Sequence, residues 1–83
     1  MSLGNYYEAS KLFNKILKLN PDYFRAYLGI AICFDKMNKP KDAQRYYMKF
    51  LKCKPNSHHA PFVKARIKKI KAERLAQKYE DLD

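Results

Sequence analysis

The stretch from residue 23 to residue 56, YFRAYLGIAICFDKMNKPKDAQRYYMKFLKCKPN, carries the strongest fold signal in the chain. Apolar residues recur there with helical spacing on each side of the turn sequence Asn38-Lys39-Pro40. Because so short a connection forces neighbouring helices to pack antiparallel, the stretch predicts a helical hairpin. Ala31 and Ala43 are expected to face each other where the helices approach most closely. The expected inward residues are Tyr27, Ile30, Ala31 and Phe34, then Ala43, Tyr46, Tyr47, Phe50 and Leu51.

A related pattern precedes the hairpin at an offset of 34 residues, with residues 4–22 aligning on residues 38–56. Ala9 aligns with Ala43, and Pro21 aligns with Pro55. The repeat predicts a first helix over 5–18 that Asn20-Pro21 ends, and Asp22 as the N-cap of the next helix. The expected inward face of this first helix consists of Tyr6, Ala9, Leu12, Phe13, Ile16 and Leu17.

The C-terminal segment predicts a fourth helix over 57–80, with Ser57 as its cap. Its expected inward residues are Ala60, Val63, Lys64 and Ile67, with Ile70 one turn further on. Later apolar residues lie about a quarter turn away, so we expect the end of the helix to extend beyond the core. These later residues are Leu75, Tyr79 and Leu82. No segment alternates with period two, so the prediction is an all-α fold of four helices.

These residues resemble the tetratricopeptide repeat family, whose 34-residue unit is two antiparallel helices, A and B. The markers in register are Tyr27 at the usual Trp, Ile30 at the Leu, Ala31 at the Gly, Phe34 at the Tyr, Ala43, Tyr47 at the Phe, and Pro55 at the terminal Pro. Pro40 and Phe50 depart from the family pattern. The resemblance implies one α-solenoid domain over 1–83, with a B helix of a partial repeat at 5–18, a complete repeat at 23–53 and a capping helix at 57–80. Such a unit is expected to be a fragment of a longer array or to be completed by another chain.

Composition limits the possible functions. An 83-residue chain with two cysteines forms one small domain without a disulfide scaffold, as is typical of a reducing, cytoplasmic setting. No apolar segment is long enough to predict a membrane span. The net charge of +10 favours acidic partners, and seven of the eighteen basic residues fall within 64–78.

Enzyme chemistry is not expected, and neither is a cofactor or a metal site. Gly4 and Gly29 stand alone, so no glycine-rich loop could hold a phosphate. His58 and His59 are adjacent and would diverge on a helix instead of binding one metal ion. The serines are assigned to surface or capping positions, and both cysteines are assigned as small, partly buried apolar residues.

The family resemblance implies a concave surface that binds a peptide or a partner protein. The expected groove residues are Arg25, Leu28, Ile32, Asp35, Lys36, Phe62, Arg66 and Lys69. Leu28 and Ile32 stand where carboxylate-binding members of the family carry Lys and Asn. The groove is therefore expected to suit an acidic or amphipathic segment better than a C-terminal carboxylate. An equally weighted alternative is that Leu28 and Ile32 pack on a neighbouring helix.

The basic C-terminal helix provides a second hypothesis. Lys64, Lys68 and Lys71 share one helical face, and Lys78 lies further along. This basic patch could be a solvated surface, or it could bind an acidic protein, RNA, DNA or an anionic lipid. A third hypothesis is a scaffold end of an array or a homodimer, because Tyr6 and Tyr7 would form an exposed aromatic patch.

Overall fold

Four helices in sequence make up the computed structural model, which describes the backbone of residues 3–80 and the side chains of residues 4–78. They are α1 (Leu3–Leu19), α2 (Phe24–Lys36), α3 (Pro40–Cys53) and α4 (Ala60–Glu80). Each helix packs on the next, α1 on α2, α2 on α3 and α3 on α4. No strand occurs within residues 3–80, so the predicted all-α, solenoid-like architecture is confirmed. None of the helices described is both long and apolar enough to cross a membrane.

The α2–α3 hairpin holds the centre of the core. Ala31 and Ala43 are both fully buried in one cluster with Tyr47 and Phe50, as the hairpin prediction required. Short side chains let two helices approach closely, and larger rings fill the space beside them. Tyr27, Phe34, Tyr46 and Leu51 pack against this cluster while staying partly exposed. The two departures from the family pattern fit locally: Pro40 begins α3, where a missing N–H costs nothing, and Phe50 is buried with its ring centroid 6.2 Å from that of Phe24.

A left-handed residue makes the turn between α2 and α3. Asn38 has a φ of 62°, a conformation that Asn tolerates better than most residues with a Cβ. The Lys39 N–H donates to the Phe34 carbonyl at 2.9 Å, and the Asn38 N–H donates to the Asp35 carbonyl at 3.1 Å. These two bonds form a Schellman motif, which satisfies the last carbonyls of α2 and reverses the chain.

The contact between α1 and α2 depends on a glycine. A Cβ at Gly29 would lie 2.6 Å from Cε2 and Cζ of Phe13, so only glycine leaves room for that ring. The prediction for α1 was only partly right, because Leu12 and Ile16 are 60% and 38% exposed. Ser10, assigned from sequence to the surface or to a cap, is instead buried, and its hydroxyl donates to the Tyr7 carbonyl at 2.7 Å.

Two predicted caps and one cysteine also require correction. Tyr23 occupies the N-cap of α2 and makes no side-chain cap bond, while the Asp22 N–H donates to Asn20 Oδ1 in a turn. Ser57 lies in the turn before α4, where its hydroxyl oxygen accepts the His59 N–H at 3.2 Å. Cys33 is buried as expected, and burial raises its thiol pKa, but Cys53 is exposed.

The fourth helix divides into a packed half and an exposed half. Of the five predicted inward residues, Ala60, Val63, Ile67 and Ile70 are buried. Lys64 is instead exposed, because burying an unpaired ammonium group would cost free energy. Residues 71–78 are all exposed, including Leu75, so this part of α4 extends beyond the core as predicted. The Tyr79 side chain and Leu82 lie outside the described residues.

Candidate functional site

A cleft of about 300 Å³ separates α2 from the first half of α4. Ile32, Asp35 and Lys36 come from α2, because positions three and four apart on a helix share one face. Phe62 and Arg66 face them from α4, also four residues apart. The hydroxyl-bearing end of Tyr47 reaches the cleft from α3. The cleft therefore combines apolar rings and aliphatic carbons with charged groups.

Asp35 lies at the centre of a hydrogen-bond network that joins three helices. Arg66 donates from Nε to Oδ2 at 2.9 Å and from its terminal NH2 group to Oδ1 at 2.7 Å, a two-point ion pair. The Tyr47 hydroxyl donates to Oδ2 at 2.9 Å. Such a planar, bidentate contact fixes the orientation of both side chains. Asp35 and Arg66 therefore form a rigid polar floor rather than two free charges.

This network raises the pKa values of Tyr47 and Arg66. Burial, together with the hydrogen bond to Asp35, raises the pKa of the Tyr47 hydroxyl far above its usual value. The phenolate would be poorly solvated and would face a carboxylate, so the neutral form is strongly favoured. The hydrogen bond to Asp35 likewise raises the pKa of Arg66. Tyr47 therefore stays neutral and Arg66 stays charged across the physiological pH range.

The apolar part of the cleft consists of side chains that are exposed or half-buried. Phe62 is 50% exposed, although its ring lies edge-on to Tyr47 at a centroid distance of 6.3 Å and an angle of 81°. Ile32 is half-buried and packs against the core. Lys36 is exposed at the edge of the cleft. An incoming apolar side chain could cover Phe62 without any rearrangement of the core.

The structure brings together five of the eight residues predicted for the groove: Ile32, Asp35, Lys36, Phe62 and Arg66. Arg25, Leu28 and Lys69 do not line the cleft. Leu28 is half-buried against the core, so the alternative of packing on its neighbours describes it better. Tyr47 was assigned to the core alone, and the sequence carried no signal that its hydroxyl would reach Asp35.

The predicted basic patch lies on a different side of α4. Lys64, Lys68 and Lys71 surround a shallow depression whose other lining residues are Leu51 and Ile67. Lys78 does not line this depression. The three lysines share a face as their spacing predicted. They line the depression together with the apolar side chains of Leu51 and Ile67.

A family model described as tetratricopeptide repeat matches residues 1–67. The chain belongs to the tetratricopeptide repeat family. The match extends through α1, α2 and α3 and into α4 as far as Ile67, the packed half of that helix. Searches of curated proteins and of solved structures found no significant match. Tetratricopeptide repeats generally mediate protein–protein interaction and are typically not enzymes.

Proposed function

We propose that this protein binds a segment of a partner polypeptide in the cleft between α2 and α4. The proposal rests on one observation: Phe62 remains half exposed above a polar floor that is already fully paired. Because Asp35 and Arg66 satisfy each other, a ligand need not separate them, and little ordering cost remains at the floor. The affinity would come from apolar side chains covering Phe62 and Ile32, with Lys36 selecting an acidic group at the edge.

The arrangement of the chain supports the same assignment. In this proposal α1 is the B helix of a partial repeat, α2 and α3 are a complete repeat, and α4 is a capping helix. Facing positions of α2 and α4 then form a concave surface, on which peptide ligands of helical repeats are held. We propose an acidic or amphipathic segment as the ligand, because the chain carries a net charge of +10.

Two matched substitutions on α4 test the proposal. Phe62 and Leu75 are apolar residues exposed to a similar extent, 50% and 53%, but only Phe62 lines the cleft. Peptides selected on the wild-type protein from a displayed 12-residue library would be measured by titration calorimetry against Phe62→Glu and Leu75→Glu. We expect Phe62→Glu to weaken cleft-binding peptides at least tenfold and Leu75→Glu to leave them unchanged. Equal affinity for both variants and the wild type would contradict the cleft as the binding site.

Salt dependence separates this function from nucleic-acid binding. The affinity of a complex that depends on apolar contacts with Phe62 changes little with ionic strength. A complex with six to ten phosphate contacts loses about 10³–10⁵ in affinity between roughly 50 and 200 mM salt. The same titrations at two salt concentrations therefore distinguish the proposed peptide complex from an electrostatic one.

A further inference from the structure

A second open surface lies between α3 and α4, on a different side of α4 from the cleft. It consists of two neighbouring depressions of about 430 and 280 Å³ that share Leu51. The first is lined by Met48, Lys49, Leu51 and Lys52, and the second by Leu51, Lys64, Ile67, Lys68 and Lys71. We call this surface the α3–α4 groove. Further along the same two helices, Arg74 donates to Gln44 Oε1 at 3.0 Å, so α3 and α4 stay side by side there.

The floor of the α3–α4 groove is apolar and its rim is basic. Met48 is 49% exposed, and Leu51 is half-buried beside it. No carboxylate lines either depression. Among the side chains of residues 4–78, the ammonium groups of Lys52, Lys64 and Lys68 form no ion pair, and the same holds for Lys71. A rim of unneutralised cations around apolar carbon is complementary to an apolar surface with acidic edges.

The internal repeat indicates what shape of partner fits. On α2, Ile30 and Phe34 face the core. At an offset of 33 residues, Val63 and Ile67 occupy the corresponding core-facing positions on α4. In that register Lys64 takes the place of Ala31, the residue at which α3 packs onto α2. Whereas α2 stops at Lys36 and the chain turns back as α3, α4 runs without a break to Glu80. The place that a returning helix would take beside α4 is therefore open within the described chain, and a lysine replaces the alanine there.

We infer that the α3–α4 groove docks an acidic amphipathic helix of another polypeptide. Lys64, Lys68 and Lys71 follow one face with steps of four and three residues, over about 10 Å or two helical turns. Acidic residues at matching steps on a partner helix would pair with them, while its apolar stripe covers Met48 and Leu51. A second copy of this chain is a poor occupant, because each copy carries a net charge of +10. Phosphates could pair with the lysines but would leave the apolar floor uncovered.

The experiment uses a displayed library of 16-residue helix-forming peptides, panned against the whole chain. We expect a class of selected peptides with an aliphatic stripe at spacings of three and four and with Asp or Glu beside it. Their Kd would be measured by fluorescence anisotropy. Met48→Ser removes apolar contact without changing charge, and Lys68→Glu reverses one rim charge. Each is expected to weaken this class about tenfold, and a peptide with the opposing Glu changed to Lys should recover the loss on Lys68→Glu.

Phe62→Glu is the matched control, because it alters the cleft and leaves the α3–α4 groove intact. Peptides weakened by Phe62→Glu but indifferent to Met48→Ser belong to the cleft, so the two sites can fail independently. The inference is overturned if no selected peptide responds to both Met48→Ser and Lys68→Glu, or if the responding peptides lack acidic residues. It is also overturned if a 16-nucleotide single-stranded RNA binds wild type and Met48→Ser equally and displaces the peptides at about 150 mM salt, since the surface would then be an electrostatic nucleic-acid site.

Discussion

The second helix faces α3 and α4 in opposite ways. Against α3 it presents Ala31, which is fully buried with Ala43, and the ring of Phe34 stacks on Tyr46 at 5.7 Å. Towards α4 it presents Asp35, whose carboxylate is reached by the long side chain of Arg66. The interface between α2 and α3 is packed as part of the core, whereas a cleft of about 300 Å³ remains between α2 and α4. Side-chain length and polarity at facing positions thus determine whether neighbouring helices share a core or leave space for a ligand.

Removing the polar contact across the cleft should have the largest effect. Asp35→Ala leaves the buried Tyr47 hydroxyl and the Arg66 guanidinium without their acceptor, which is expected to lower the free energy of unfolding by about 3 kcal/mol. Urea unfolding followed by circular dichroism measures the change. Asp42→Ala is the control, because the Asp42–Arg45 pair is exposed and should contribute only about 0.5 kcal/mol. Equal urea midpoints for the two variants would show that the Asp35 network does not stabilise the fold.

Enlarging a side chain in the closed interface should have the next largest effect. Ala31→Leu overpacks the contact with α3 and is expected to cost about 2 kcal/mol. Ala65, which lies 34 residues later, is exposed on α4, so Ala65→Leu should change stability by less than about 0.5 kcal/mol. Thermal melts of the two variants give the comparison. An unchanged melting temperature for Ala31→Leu would mean that α2 and α3 do not approach closely at Ala31.

The tyrosine shared by core and cleft predicts a pH dependence. Tyr47→Phe removes a hydrogen bond to a carboxylate, so we expect a loss of about 1.5 kcal/mol near neutral pH. The folded chain raises the Tyr47 pKa above its unfolded value near 10, so this stabilisation is complete below about pH 10 and is lost as pH rises further. The difference in stability between wild type and Tyr47→Phe should therefore shrink between about pH 10 and 12. A difference that stays constant over this range would contradict the proposed environment of Tyr47.

The smallest expected effect concerns the turn that aligns the closed interface. Asn38→Ala places an ordinary side chain at a φ of 62° and should cost about 1 kcal/mol. Asn38→Gly keeps the left-handed conformation accessible and should stay within about 0.5 kcal/mol of wild type. Chemical unfolding of the pair tests the assignment, because a merely local polarity effect would make both variants alike.

Features that depend on residues close together in the sequence, or on the internal repeat, were predictable from sequence. The spacing of Ala31 and Phe34, the turn at Asn38 and the alignment of residues 4–22 on residues 38–56 depend only on local periodicity and on the 34-residue repeat. These signals gave the four helices and most of the core. The family resemblance, and not periodicity, implied that Asp35 and Arg66 belong to a groove.

Features that depend on tertiary geometry were not predictable in this way. The ion pair of Asp35 and Arg66 joins residues 31 positions apart, and no local pattern shows that the two would neutralise each other. Asp22 has the right side chain for a cap, but the chain path at Pro21 places Tyr23 there instead. Leu12 and Ile16 follow helical periodicity and are nevertheless exposed, because within the described residues α1 packs only on α2. Periodicity identifies a face, whereas the number of neighbours determines whether that face is covered.

The contrast between the two cysteines has a practical consequence. Cys33 is buried and its thiol pKa is raised, whereas Cys53 is exposed at the end of α3, two residues beyond Leu51. Thiolate is the reactive form, so a maleimide dye applied to the folded protein should label Cys53 selectively without any engineering of the chain. The wild-type sequence therefore provides its own attachment point for a fluorophore beside the α3–α4 groove.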